Sequence, residues 1–212
     1  MKNLGKIITF SAILLVFSII IILFFNQAIS FDVSLLHFIN GLSNPLLDAI
    51  FIPLTYLGST LFWIILMVMF WIRGHKKLSV YLLYSIIINT ILSLSLKWTF
   101  LRPRPSESNE KNILFIEDSG PSFPSGHAEN VFSGNVILSS FVNDWRFKAA
   151  LYAISILTAI SRIYLGVHYP LDTLFGSLIG IIIGNLVLNV PTEKTEVKID
   201  KAIKRIRKSL KL

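Results

Sequence analysis

Residues 122–142 read SFPSGHAENVFSGNVILSSFV. A proline, a serine, a glycine and a histidine, Pro124 to His127, open a run that is otherwise mostly apolar. The stretch 127–142 is long enough for a helix and carries one charge, Glu129. For a helix that starts here, Ser125 is the natural N-cap. Gly126 lets the backbone approach a ligand closely, and the free N–H groups of the first turn form an anion site. His127 adds a group able to donate a proton near neutral pH. Taken alone, Pro-Ser-Gly describes nothing more than a well-capped helix.

The surroundings of this run set the fold class. Of 212 residues, 53% are hydrophobic and only 15% charged, against about 25% charged in an ordinary soluble domain. Six apolar stretches follow one another, at about 7–25, 48–72, 78–101, 127–142, 147–165 and 170–190. The first is long for a signal-peptide core, and FFNQAISFD after it offers no small-residue cleavage site, so it reads as a retained span. Backbone groups in lipid must be bonded internally, so each stretch is expected to be a helix. The expectation is an all-α, six-transmembrane-helix bundle over 1–192. A tail over 193–212 has Ile199, Ile203, Ile206 and Leu210 at helical spacing among lysines and arginines, which reads as a basic amphipathic helix on anionic lipid, with a plain solvated tail as the alternative.

The net charge is +8. Its bland explanation is the collection of basic residues on the cytoplasmic side; no basic stripe on a soluble module points to nucleic acid. Lys2, Lys6, Arg73, Lys76, Lys77, Arg146, Lys148 and the tail fall on one side of a six-span bundle, and the connection 26–47 holds no lysine or arginine. The rule then places both termini in the cytoplasm. Lys97, Arg102, Arg104, Lys111 and Arg162 fall on or near the opposite side and break the bias. The absence of cysteine excludes disulfides, thiolate zinc sites and cysteine nucleophiles.

Three clusters share that outer face. Lys97 and Arg104 flank the end of the third stretch; snorkelling cations would look the same. The Ser125–Gly126–His127 turn opens the fourth. Arg162 closes the fifth, and His168 stands four residues before Asp172. With Pro170 at the first helical position, Asp172 becomes the third and reaches back as in a capping box, so its carboxylate can meet His168. An acid favoured by the helix dipole is the plain alternative; a histidine held in one tautomer by a carboxylate is the functional one. Three unsupported cations in mid-bilayer would cost roughly 8–10 kcal/mol on insertion scales. Lys97, Arg104 and Arg162 therefore call for an interface or a polar cavity with an anion in it. A phosphate suits the planar fork of arginine.

Together these residues resemble the three-part signature of the type 2 phosphatidic acid phosphatase superfamily: K-x6-R-P, then P-S-G-H, then S-R-x5-H-x3-D. Here it stands as Lys97 with Arg104-Pro105, Pro124 to His127, and Ser161-Arg162 with His168 and Asp172. The resemblance covers about 48–190. It implies a phosphatase with the haloperoxidase-like helical core, without metal or other cofactor. His168 would attack phosphorus, Asp172 would orient it, and His127 would protonate the leaving group and then activate water. Lys97, Arg104, Ser125, Gly126 and Arg162 would hold the phosphoryl oxygens. The implied substrate is a membrane lipid phosphate such as phosphatidylglycerophosphate, undecaprenyl diphosphate or phosphatidate, met at the extracytoplasmic face of the cell membrane. Glu129 is a candidate contact for its head group, or simply a helix N-terminal acid. A lipid phosphotransferase and a non-catalytic lipid carrier are the competing readings, and oligomeric state is open.

Overall fold

The protein is described here by a computed structural model covering residues 30–105 and 120–209, backbone alone from 206 onward. The described residues are helical and contain no strand. In chain order the helices are α1 (Ser30–Asn40), α2 (Pro45–Thr55), α3 (Thr60–Ile72), α4 (Lys76–Phe100), α5 (Gly126–Ser140), α6 (Trp145–Tyr164), α7 (Pro170–Val187) and α8 (Glu193–Ser209), with one 3₁₀ turn, Tyr56–Gly58.

Local chemistry sets most of the starts. Pro45 opens α2 while the Asn44 side chain accepts from the Leu46 and Leu47 amides. Ser59 caps α3 and Asp144 caps α6 through the Phe62 and Arg146 amides. Pro170 and Asp172 begin α7. The end of α4 is set by Leu101 in the left-handed region (φ 46°), whose amide returns to the Lys97 carbonyl.

Among the described residues α4, α6 and α7 are long and apolar enough to cross a membrane, and they match the third, fifth and sixth apolar stretches. Helix α5 has 15 residues, about 22 Å at 1.5 Å per residue, and lies mostly buried within the bundle. The stretch 48–72 is not one helix. The Tyr56–Gly58 turn and the Ser59 cap interrupt it, leaving α2, the 3₁₀ turn and a 13-residue α3. The connection expected over 26–47 contains α1, which meets α2 at a bend of 117°. Four spans are reached if that bent pair counts as one, and the first apolar stretch, 7–25, lies outside the described residues. The six-span count is thus an expectation on which three helices agree.

The tightest pair is α5 against α7. Gly176, Gly180 and Gly184 lie four residues apart on α7. A methyl group at each would come within 2.4, 2.5 and 2.8 Å of the Ser125, Glu129 and Ser133 carbonyls of α5. Only hydrogen fits there, so the two backbones touch. A polar seam joins α4 to α5: Ser85 donates to Ser133 Oγ at 2.9 Å, and Asn89 donates to the same atom at 2.8 Å. Asn130 reaches from α5 to the Gly58 carbonyl (3.2 Å) and Thr60 Oγ1 (3.0 Å), tying the break between α2 and α3 to the bundle. Helix α1 covers the α6–α7 turn, with Leu36 packed on Ile163 and Tyr169 and Asn40 Nδ2 bonded to the Tyr164 carbonyl. At the opposite end α8 pairs Asp200 with Lys76 and Thr195 with Tyr84. Helix α8, within the 193–212 tail, docks on α4.

Candidate active site

The site is assembled from the end of α4, the start of α5 and the α6–α7 turn, which meet at one end of the bundle. Lys97 lies in the last turn of α4, and its ammonium donates to the Pro121 carbonyl at 2.6 Å. Beyond the left-handed Leu101 the chain turns inward and buries Arg104, which is 3% exposed. Its Nε donates to the Gly120 carbonyl (2.8 Å) and its Nη1 to the Val167 carbonyl (2.9 Å). Arg104 thereby links the segment before α5 to the segment before α7.

The same Nη1 stands 3.3 Å from His168 Nε2, and His168 Nδ1 stands 3.3 Å from Asp172 Oδ2. A guanidinium donates and never accepts, so the nitrogen facing it is an acceptor. That assigns the lone pair to Nε2 and the proton to Nδ1, which donates to Asp172. Histidine is thus held as the tautomer whose outer nitrogen can attack an electrophile. Asp172 Oδ2 also accepts from the Tyr169 amide at 3.0 Å, closing the capping box expected from the sequence. His168 and Asp172 are almost fully buried. Arg162 positions His168 through its backbone, because its carbonyl accepts from the Val167 and His168 amides. Its own guanidinium is fully buried and donates to Thr55 Oγ1 at 2.8 Å.

Ser125 occupies the N-cap position of α5, but its side chain makes no capping bond. Its amide donates to the Asp172 carbonyl at 3.0 Å instead, and its hydroxyl is buried without a hydrogen-bond partner among the described residues. The turn thus joins α7 through its backbone and keeps the hydroxyl available. At Gly126 a methyl group would meet only Ser93 Oγ, at an ordinary 3.7 Å; packing alone does not demand glycine there. His127 is half-buried in the first turn of α5, and the 3₁₀ turn packs on it so closely that a methyl at Gly58 would lie 2.8 Å from His127 Cβ.

Glu129 is the acid in the first turn of α5 and is fully buried, near Ser93 and Lys97 of α4. Its place one turn into α5, facing α4, explains why. Two residues that no motif singled out join the site. Arg102 donates through Nη1 to Asp172 Oδ1 at 2.7 Å and through Nη2 to Asp32 Oδ2 of α1. Its guanidinium lies 4.0 Å over the Tyr169 ring. Burial opposes the charge on Arg102, but the Asp172 and Asp32 carboxylates outweigh it and push its pKa above the ordinary arginine value. Arg102 left one signal in the sequence, as a cation on the wrong side of the charge bias. Asp32 left none.

Comparison with known proteins agrees with this arrangement. The family pattern described as the PAP2 superfamily matches residues 78–196. The undecaprenyl-diphosphatase of Sulfolobus acidocaldarius is 29% identical over 181 residues, covering 84% of this chain and 87% of that protein. The crystal structure of Aquifex aeolicus LpxE superposes with a TM-score of 0.68 at 36% identity, covering 74% of this chain and 94% of that one. A PAP2-type phosphatidylglycerolphosphate phosphatase from Bacillus subtilis superposes with a TM-score of 0.71 at 27% identity, covering 84% and 94%.

Proposed function

The chain belongs to the PAP2 superfamily, and from that premise we propose that it is an integral membrane phosphatase acting on a lipid phosphate through a phosphohistidine. The observation that carries the reading is the His168 ring: its Nδ1 is committed to Asp172 and its Nε2 lone pair faces Arg104. A buried histidine held only for packing has no need of a carboxylate on one nitrogen and a cation on the other.

In the first half-reaction Nε2 bonds to phosphorus as the phosphorus–oxygen bond to the leaving group breaks. His127 gives that oxygen its proton. Arg104 swings its Nη1 from the ring to the incoming phosphoryl oxygens. Lys97, Arg162, the Ser125 hydroxyl and the Gly126 amide supply further donors and positive charge to the equatorial oxygens of the transition state. In the second half-reaction His127 takes a proton from water, the resulting hydroxide attacks phosphorus, and phosphate leaves with His168 restored. Charge growing on the imidazole is met by Asp172 throughout.

A lipid substrate suits the surroundings. One helical turn along α5 from His127, Val131 lines an apolar cavity of about 180 Å³ shared with Phe62 and Leu66 of α3 and Leu151 and Ile154 of α6. The outer end of α4 carries exposed Trp98 and Leu101, side chains at home at a bilayer surface. The basic α8 and the Arg146–Lys148 connection occupy the other end, which supports cytoplasmic termini and an outward-facing site.

The test is a panel of purified protein in detergent against phosphatidylglycerophosphate, undecaprenyl mono- and diphosphate, and phosphatidate, with chelator present. Phosphate release from one of them that is lost in His168→Ala is the expected result. Release that survives that substitution would remove the nucleophile and with it the proposal.

A further inference from the structure

Asp172 cannot be treated as the lone carboxylate behind His168. Its two oxygens are divided: Oδ2 takes the His168 Nδ1 proton and Oδ1 takes Arg102 Nη1. A bare Arg102–Asp172 pair would be neutral, and the field that Asp172 presents to His168 would be largely cancelled. The other side of the guanidinium, however, is paired to Asp32. The cluster contains two carboxylates and one guanidinium, a net charge of minus one, in a setting where Asp32 and Asp172 are fully buried and the Arg102 side chain is 10% exposed. That residual charge matches the single positive charge that the imidazole acquires when Nε2 bonds to phosphorus while Nδ1 keeps its proton.

Geometry reinforces the charge arithmetic. Arg102 fixes the plane of the Asp172 carboxylate, and the Tyr169 ring supports the guanidinium from one face. Asp32 holds the far side of the fork while its Oδ1 accepts from the Leu171 amide at 2.8 Å. That amide is one of the first-turn donors of α7 that has no partner within its own helix. Asp32 thus grips both the arginine and the helix that carries Asp172. It stands on α1, outside the 78–196 region that matches the family pattern.

We infer that Asp32 and Arg102 are positioning residues for the nucleophilic histidine: together they orient Asp172 and leave it one net negative charge with which to stabilise the phosphohistidine. The inference rests on the phosphatase reading above. It makes α1 part of the reaction machinery without contact to substrate.

The test separates charge from scaffolding. Asp32→Asn keeps an acceptor for Leu171 and removes the charge. It is expected to lower kcat by roughly tenfold to a hundredfold, the range typical of residues that orient a reacting ligand from behind, with KM within about threefold of wild type. Asp32→Asn with Arg102→Gln restores a net charge of minus one on Asp172 alone, so the double variant should recover part of the kcat lost in the single one. A residue that merely holds the fold would give the opposite order, with the double variant worse. The assay uses full-length protein in detergent, the lipid of the panel that wild type turns over best, and the thermal unfolding midpoint as the check on folding. Folded Asp32→Asn with kcat within twofold of wild type overturns the inference, and so does a double variant below the single. Should the single variant not purify, the double variant decides: kcat within tenfold of wild type supports the inference and a lower value overturns it. Failure of wild type itself on every lipid of the panel would instead overturn the phosphatase reading.

Discussion

Arg104 shows how much a single side chain can do at this site. Two of its donors satisfy backbone carbonyls of Gly120 and Val167, and one of them also meets Nε2 of His168, the proposed nucleophile. Lysine at this position keeps the charge and loses the planar fork. Arg104→Lys should therefore reduce kcat by roughly a hundredfold, as loss of one oxyanion donor does elsewhere, with a smaller change in stability. His127 and His168 are expected to fail differently. His168→Ala should cost more than about a thousandfold on every ester, since the nucleophile is gone. In single-turnover measurements of the first half-reaction, before water must be activated, His127→Ala should cost much less on a nitrophenyl phosphate than on a lipid phosphate, because a leaving group of low pKa needs no acid. Rate ratios on the two esters measure this, and equal losses would deny His127 the acid role. At this scale part was legible beforehand: His168 and Asp172 meet because a four-residue spacing at a proline-started helix is a local fact, whereas Arg104, 64 residues from His168, reaches it only through the fold. Ser125 was legible as the N-cap position of α5, though its side chain makes no capping bond. Its amide bonds across to Asp172, a partner that no local spacing announces.

Helices place these residues, and the contact that matters most is α5 on α7. Gly176, Gly180 and Gly184 let the Ser125 and Glu129 carbonyls of α5 approach to distances that any Cβ would block. That approach sets the Ser125–His127 turn beside the first turn of α7. Gly180→Leu should force the pair apart, cost about 1–3 kcal/mol or more as overpacking does, and lower activity together with the unfolding midpoint in detergent. Retained activity with an unchanged midpoint would mean that the backbone contact is not what aligns the two histidine segments. Glycines four apart in the sequence mark a close helix contact without naming the partner. Apolar runs also hid the break at Tyr56–Gly58. Hydropathy over 48–72 is continuous, whereas Gly58 and the Ser59 cap are breakers that only count once the chain is seen to bend.

At the scale of the whole molecule, charge and site define opposite ends. Lys76, Lys77, Arg146 and α8 lie at one, and Lys97, Arg104, His127 and His168 at the other. The chain has no cysteine, so single introduced cysteines report sidedness without background. Ser43→Cys, exposed between α1 and α2, should react with an impermeant maleimide in intact cells, and Lys198→Cys on α8 only after permeabilisation. The reverse pattern would turn the site to the cytoplasm. What the sequence determined unaided was the helical class, the membrane setting, the family and the residues of the three motifs, because hydropathy, capping and helical spacing act within a few residues of each position. Tertiary structure alone decided that Asp32 and Arg102, 70 residues apart, form one ion pair, that Asp172 shares its charge between Arg102 and His168, and that Glu129 is sealed inside. A buried charge is distinguished from a snorkelling one by its partner, and a partner on a distant helix is selected by which faces pack.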